Sequence, residues 1–402
     1  MATAESVVSV GVIGLGGAAG GMIGKFSKNA HYRIAAAADI DGEILGRFHA
    51  DFPDAETYDD AAGLCASANV DLVYIATPNR WHSEHARMAL EAKKNVLIEK
   101  PMTIELGPAQ EMVDTAERNG VLLGVNVKHS FEPRILRLRE MARTGELGKL
   151  RMINSWRFAD WLYRPRTPEE LTPEWGGGIL WRQGPHQFDI IRTIGGGMVR
   201  SLRGTADTWD PARRVPGAHA AFLDFEEGAL ATAVYSGYDH FDTRMFVDPD
   251  YVEDRSAHAA ARRELRAAPS AEWEAEAARD ERYGGSRNRA ANPAPRQPTN
   301  PSLGWVMGGP LIVSFDRGDV RLTPGGLRVY GDEEIREIPL GVKGQDGRDA
   351  RLNSYYEALA HDRPLPADGR WGMATLEVLL AVEESGRKRA EVFLSHQTPT
   401  VD

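Results

Sequence analysis

Cysteine is almost absent from this chain of 402 residues, where Cys65 stands alone. No intramolecular disulfide can form and a multi-thiolate metal site is excluded, which fits a reducing compartment. Basic charge is also in short supply. Lys and Arg number 48 against 58 Asp and Glu, a formal net charge of −10, so the chain lacks a broad electrostatic footprint for nucleic acid or an anionic membrane. No run of about 18 apolar residues occurs, and the start, MATAESVVSV, lacks the basic segment and long apolar stretch of a signal peptide. These absences predict a cytoplasmic protein whose partner is a small molecule, with no nucleic acid and no membrane.

What is present is an ordinary globular composition, 42% hydrophobic and 26% charged, in a chain long enough for two domains with separate cores. Residues 7–14 (VVSVGVIG) form a short β-branched run that stops at glycines, and residues 34–40 (IAAAADI) repeat that design after a helical stretch. Further apolar runs at 70–76, 95–98 and 121–127 alternate with helix-like segments such as 83–92. Such alternation predicts a parallel sheet covered on both faces. The pattern changes near Asn126. A helix at 135–143 is followed by strand-like pieces at 151–158, 220–225, 229–236 and 311–315, which predicts a mostly antiparallel second domain. Domains are therefore expected over 1–126 and 127–402, with an insertion at about 248–301. That insertion is rich in Ala, Arg and Glu, then in Gly, Asn and Pro, with acids and bases balanced; it reads as a solvated helix followed by a flexible loop, or else as a lid or subunit contact. Residues 354–392 read as two helices broken at HDRPLPADG.

At the first strand-to-helix turn the sequence is Gly14-Leu15-Gly16-Gly17-Ala18-Ala19, a GxGxxA form of the dinucleotide fingerprint. Gly14 permits a tight turn, Gly16 lets backbone N–H groups approach a pyrophosphate, and Ala19 completes the pattern. Asp39 ends the second strand 20 residues beyond Ala19, where a carboxylate can accept hydrogen bonds from the adenosine ribose. Asp39 and Asp41 repel a 2′-phosphate, and no base follows until Arg47, so NAD is favoured over NADP.

After the third expected strand comes Thr77-Pro78-Asn79-Arg80-Trp81-His82, and after the fourth Glu99-Lys100-Pro101. Both lie at C-terminal strand ends, where such sheets bind ligands. With GxGxxA, these motifs resemble the glucose-fructose oxidoreductase/inositol dehydrogenase (Gfo/Idh/MocA) family over nearly the whole chain. The resemblance implies an N-terminal Rossmann domain and a C-terminal α+β domain with an open, mostly antiparallel sheet that commonly forms the interface of a homodimer or homotetramer. It also implies that Lys100 is the catalytic lysine, and that Thr77, Pro78, Asn79, His82 and Glu99 lie about the cofactor with Gly14, Gly16, Ala19 and Asp39.

The family's second signature is a glycine cluster followed by Asp and, four residues later, His. Here Gly176-Gly177-Gly178 leads to Arg182 in place of the aspartate, and then to His186. A guanidinium cannot accept a proton at neutral pH, but it can grip a carboxylate through two parallel hydrogen bonds. A cation near Lys100 would also lower the lysine pKa, leaving either Lys100 or His186 as the base. A structural ion pair with a nearby acid is the alternative role of Arg182. Trp181, Lys128 and His129 join Arg182 as expected substrate-side residues. Core packing accounts for at least half of Trp156, Phe158, Trp161, Tyr163, Trp175 and Trp181, yet with Arg157, Arg164 and Arg166 interleaved they suit a cyclic acid better than a polyol. The stretches PRTPEEL, WRQGPHQFDIIR and GYDHFDTR most resemble the dihydrodiol dehydrogenases of phthalate and chlorobenzoate breakdown, with the 4,5-dihydro-4,5-dihydroxyphthalate type nearest. Rival readings are a sugar or inositol dehydrogenase, a relative using bound NAD transiently in a hydrolase or eliminase cycle, and a non-enzymatic NAD sensor. His82 and His85 (HSEH) lack zinc-site spacing, so no metal is expected.

Overall fold

Short apolar runs bounded by turn residues become the strands of a first sheet in the computed structural model, which describes residues 7–238, 240–247, 252, 255–267, 274, 280, 282–285, 309–341 and 347–402. They are β1 (Val8–Ile13), β2 (Tyr32–Ala38), β3 (Glu56–Tyr58), β4 (Leu72–Ile75), β5 (Asn95–Glu99) and β6 (Leu123–Asn126). All pair in parallel in the order β3-β2-β1-β4-β5-β6. Every residue of β1, β4 and β6 is buried, as expected where helices cover both faces. The intervening helices are α1 (Gly17–Phe26), α2 (Gly42–Asp51), α3 (Ala61–Ala66), α4 (His82–Glu91) and α5 (Leu106–Asn119). Local chemistry sets their ends: the Asp41 side chain accepts from the Glu43 and Ile44 N–H groups at the start of α2, and Gly120, at φ +64°, closes α5. The chain leaves β1 toward β2 on one side and β4 toward β5 on the other, so a crevice opens beyond the C-terminal ends of β1 and β4.

Beyond α6 (Pro133–Thr144), a second sheet holds nine strands: β7 (Leu150–Phe158), β8 (Val199–Asp207), β9 (Ala218–Phe225), β10 (Leu230–Ser236), β11 (Leu311–Phe315), β12 (Gly318–Thr323), β13 (Gly326–Gly331), β14 (Ile335–Pro339) and β15 (Val392–Phe393). Their order is β14-β13-β12-β11-β7-β10-β9-β8-β15, antiparallel throughout except for the β7–β10 pair. The sequence reading missed β3, β8 and β12–β15, which are too short or too mixed in polarity to stand out as apolar runs. α7 (Ile179–Gly195) and the Gly369–Lys388 helix cover one face of this sheet. The other face exposes Met152, Trp156, Phe222 and Ile312.

Two segments cross between the layers. The Arg348–His361 helix lies far along the chain yet packs on the first sheet: Leu352, Tyr355 and Tyr356 join Val8, Val10 and Val12 in one core, and Tyr355 donates 2.9 Å to the Val96 carbonyl. From the insertion, the Arg255–Ala267 helix docks through buried Leu265 against Trp161 and Tyr163, so it is amphipathic and not simply solvated. Glu274 is buried on Arg213 at 2.8 Å. The expected flexible loop at the end of the insertion lies outside the described residues, apart from 282–285. Among the described residues no helix is long and apolar enough to cross a membrane.

Candidate active site

At the β1–α1 turn Gly14 sits at φ +87°, and a Cβ there would lie 2.8 Å from Thr77 Cγ2, so only glycine fits. Gly16 is open, its nearest potential neighbour being the Ala76 carbonyl at 3.9 Å, and it begins α1 with no side-chain cap on the first N–H groups. Uncapped N–H groups beneath an open glycine suit a pyrophosphate. Ala19 is fully buried where α1 crosses the sheet. Asp39 at the end of β2 accepts from the Leu15 N–H (2.7 Å) and the Asp41 N–H (3.0 Å), which holds its carboxylate at the mouth of the same turn. Gly14, Gly16, Ala19 and Asp39 are thus brought together at one turn, as the dinucleotide fingerprint requires.

The second cluster assembles from four places: the β4 end (Thr77, Pro78, Asn79), the β5 end (Glu99, Lys100), the segment after β6 (Lys128, His129) and α7 (Arg182, His186). Lys100 Nζ donates 3.0 Å to the Arg182 carbonyl. Burial and the neighbouring Arg182 charge bring the lysine down to about 8, with Glu99 opposing and Lys128 assisting. About a tenth of such a lysine is neutral at pH 7, against fewer than about one in a thousand at the ordinary pKa. His186 follows Arg182 by one helical turn and meets His129 edge to face, ring centroids 5.0 Å apart. Burial holds both imidazoles well below their usual range, and the charges of Lys100, Lys128 and Arg348 push His186 further. Among the described residues His186 Nδ1 is buried without a hydrogen-bond partner. His186 is therefore neutral, and Lys100 is the stronger proton acceptor of the two.

Around this pair, other residues hold the geometry. Tyr74 donates 2.6 Å to Glu99, and Asn126 donates to the same Oε1. His82 is fully enclosed, with Nδ1 and Nε2 each 2.8 Å from a carbonyl, of Pro101 and Thr77 respectively. Burial lowers its pKa to about 4, so the neutral ring donates to only one of the two and acts as a strut between the two strand-end loops. Asn79 is buried and donates 3.2 Å to the Gly176 carbonyl while accepting from Arg182 Nη1 at 3.1 Å. Arg182 Nε lies 3.4 Å from Glu170, so the guanidinium has the acidic partner that the ion-pair alternative required. Burial works to raise Glu170, but Arg166 and Arg182 hold it below the ordinary carboxyl range.

The expectation for Trp181 needs correction. It sits in the core and donates 2.8 Å to Glu383 of the Gly369–Lys388 helix, because the position preceding Arg182 on α7 faces that helix. Trp161 and Tyr163 are core residues as well, and Trp175 stacks under Arg80 at 3.9 Å. Sequence reasoning missed Glu170, Arg348 and Arg282. Arg348 reaches the cluster because Gly347, at φ +75°, lies so close to the Lys128 carbonyl that no side chain fits between them. Nothing periodic marks that contact in the sequence. A cavity of about 630 Å³ between Met245, Phe246, Val247 and β12–β14 contains none of these groups.

A glycine-turn parallel sheet with an acid-ended second strand and a lysine at the crevice defines a nicotinamide-dinucleotide oxidoreductase. The NAD-binding Rossmann domain of the Gfo/Idh/MocA oxidoreductases matches residues 8–127, and the C-terminal domain of that family matches 135–248. The chain belongs to the Gfo/Idh/MocA family and is an NAD(P)-dependent dehydrogenase. It is 32% identical over 382 residues to the 1-carboxy-3-chloro-3,4-dihydroxycyclohexa-1,5-diene dehydrogenase of Comamonas testosteroni, covering 94% of each chain. It is 30% identical to the D-glucoside 3-dehydrogenase of Escherichia coli over 44% of this chain and 55% of that one. A crystal structure from Bordetella bronchiseptica, assigned as a dehydrogenase, aligns with a TM-score of 0.84 at 34% identity, covering 96% of this chain and all of that one. The WlbA dehydrogenase of Bordetella pertussis, solved with NADH and UDP-GlcNAcA, shares the fold at TM-score 0.71 and 17% identity, covering 98% and 99% of the two chains.

Proposed function

We propose that the protein oxidises a secondary alcohol of a cyclic, carboxylated diol, of the cis-dihydrodiol carboxylate class, with NAD as the hydride acceptor. The observation that carries this reading is the charge at the reactive end, where Lys100 and His186 both sit in the field of Lys128, with Arg182 acting on the lysine and Arg348 on the histidine. A ring carboxylate is drawn into such a field, to which a neutral polyol brings no charge. The name of the Comamonas relative, a carboxylated cyclohexadiene diol dehydrogenase, supports the same substrate class.

In this reading Lys100 Nζ takes the hydroxyl proton, and the neutral His186 ring hydrogen-bonds the diol and orients it. Lys128, His129 and Arg182 face the carboxylate side, with Arg182 braced by Glu170 and Asn79. Thr77, Pro78, Asn79 and Glu99 border the nicotinamide, while His82 ties their loops together. Bound nicotinamide supplies the carbon that accepts hydride. Asp39 and Asp41 favour NAD over NADP by accepting from the ribose diol and repelling a 2′-phosphate. A panel of dihydrodiol carboxylates, their methyl esters, sugars and inositols, followed by NADH absorbance, tests the reading. Carboxylates turned over well above esters and polyols are the expected result; sugars or inositols turned over equally well would overturn it.

A further inference from the structure

The carboxylate of Asp39 already has a third partner, from the far side of the chain. Arg282 Nη2 lies 3.1 Å from Asp39 Oδ1 and 3.4 Å from Oδ2, and its Nη1 lies 3.1 Å from Asp41 Oδ2. The residue is well anchored. The Tyr283 N–H donates 3.0 Å to the Leu15 carbonyl inside the glycine turn, its hydroxyl donates 2.6 Å to Asp51, and its buried ring packs edge-on to Phe48 at 5.8 Å. A piece of the insertion is thus seated on the adenosine end of the crevice.

A carboxylate offers about four lone-pair sites. On Asp39 the Leu15 N–H takes one on Oδ2 and the Asp41 N–H one on Oδ1. Arg282 shares the remaining two. A ribose diol donating to Asp39 needs those same two sites. Arg282 also offsets one of the two negative charges of the Asp39–Asp41 pair, the charge that a 2′-phosphate meets.

We propose that Arg282 is a cofactor-selectivity residue that competes with the adenosine ribose for Asp39 and lends positive charge to a 2′-phosphate. This rests on the assignment of Asp39 as the ribose acceptor and sharpens it. Removing the guanidinium then has opposite effects on the two cofactors.

Calorimetric titration of full-length protein with NAD and with NADP, without substrate, tests this. In Arg282→Ala the NAD dissociation constant falls about three- to tenfold, an effect kept modest because Arg282 is partly exposed, and that for NADP rises about tenfold. Tyr283→Phe, which removes the Asp51 bond and leaves the guanidinium in place, keeps the NAD/NADP ratio of the unmodified protein within about twofold. In an Asp39→Asn background, Arg282→Ala loses its effect on NAD. Equal weakening of both cofactors, or no change in either, overturns the proposal. A ratio shift in Tyr283→Phe as large as in Arg282→Ala overturns it too, since Arg282 is then only an anchor. An unmodified protein that prefers NADP contradicts the NAD assignment but leaves the opposite-sign test intact.

Discussion

At the glycine-turn end of the crevice, Gly14, Gly16, Ala19 and Asp39 all come from one strand-helix-strand unit, and Asp39 is held to the turn by the Leu15 N–H, with Arg282 added from the insertion. At the reactive end, Lys100, His129, Arg182, His186 and Arg348 come from β5, the segment after β6, α7 and a helix that begins near the other end of the chain. The first is chiefly a backbone device, built from glycine space, uncapped N–H groups and one carboxylate. The second is an electrostatic device, in which each cation changes the proton affinity of the next. Local sequence suffices for one; the other exists only where several elements converge.

The reactive end should break most sharply. Lys100→Met is expected to lower turnover by at least about a hundredfold, the lower bound of what a positioned acid-base group contributes, with NAD affinity within about twofold of the unmodified protein. Steady-state kinetics beside a calorimetric NAD titration separates the two. Near-normal turnover would falsify the role assigned to the lysine.

Arg182→Met should raise KM by roughly 10- to 100-fold, the scale of a lost charged hydrogen bond, with Arg182→Lys intermediate because the bidentate geometry is lost. A methyl ester should be a poor substrate for the unmodified enzyme yet lose little more in Arg182→Met. If acid and ester are turned over alike, Arg182 acts through Glu170 and Lys100 alone.

The adenosine end should yield less. Asp39→Ala is expected to weaken NAD about tenfold and to narrow the gap to NADP, leaving turnover at saturating cofactor nearly unchanged. A fall in turnover matching that of Lys100→Met would show that the two ends are not separable.

The smallest effect is a displacement along the pH axis. With neutral Lys100 as the proposed proton acceptor, kcat/KM for oxidation should rise with pH and level off above about 8, where burial and the Arg182 charge have brought the lysine. Removing the cation in Arg182→Met raises the lysine pKa, so the midpoint moves to higher pH; Asp39→Ala leaves it in place. A midpoint unmoved by Arg182→Met would disconnect the guanidinium from the lysine.

The sequence alone determined five of the six strands of the first sheet and the glycine turn with its acid. Residues 7–39 carry the strand, the glycine turn, the helix and the acid in covalent order, and a parallel sheet needs its apolar runs buried on both faces, so both fold and cofactor class were legible. Lys100 and His186 could be singled out too, one by a short motif at a strand end and the other by its spacing from a glycine cluster. Tertiary structure decided their chemistry. Whether the lysine is a base depends on how near Arg182 and Lys128 come, and pairing through space leaves no periodic trace in the chain. Trp181 went to the core because α7 turns that side toward the Gly369–Lys388 helix, and Arg182 acquired Glu170 from a loop. Arg348 and Arg282 reached the two ends of the crevice from remote segments. Backbone geometry propagates along neighbouring residues and can be read there. Charge interactions depend on distance in space, and only the folded chain sets those distances.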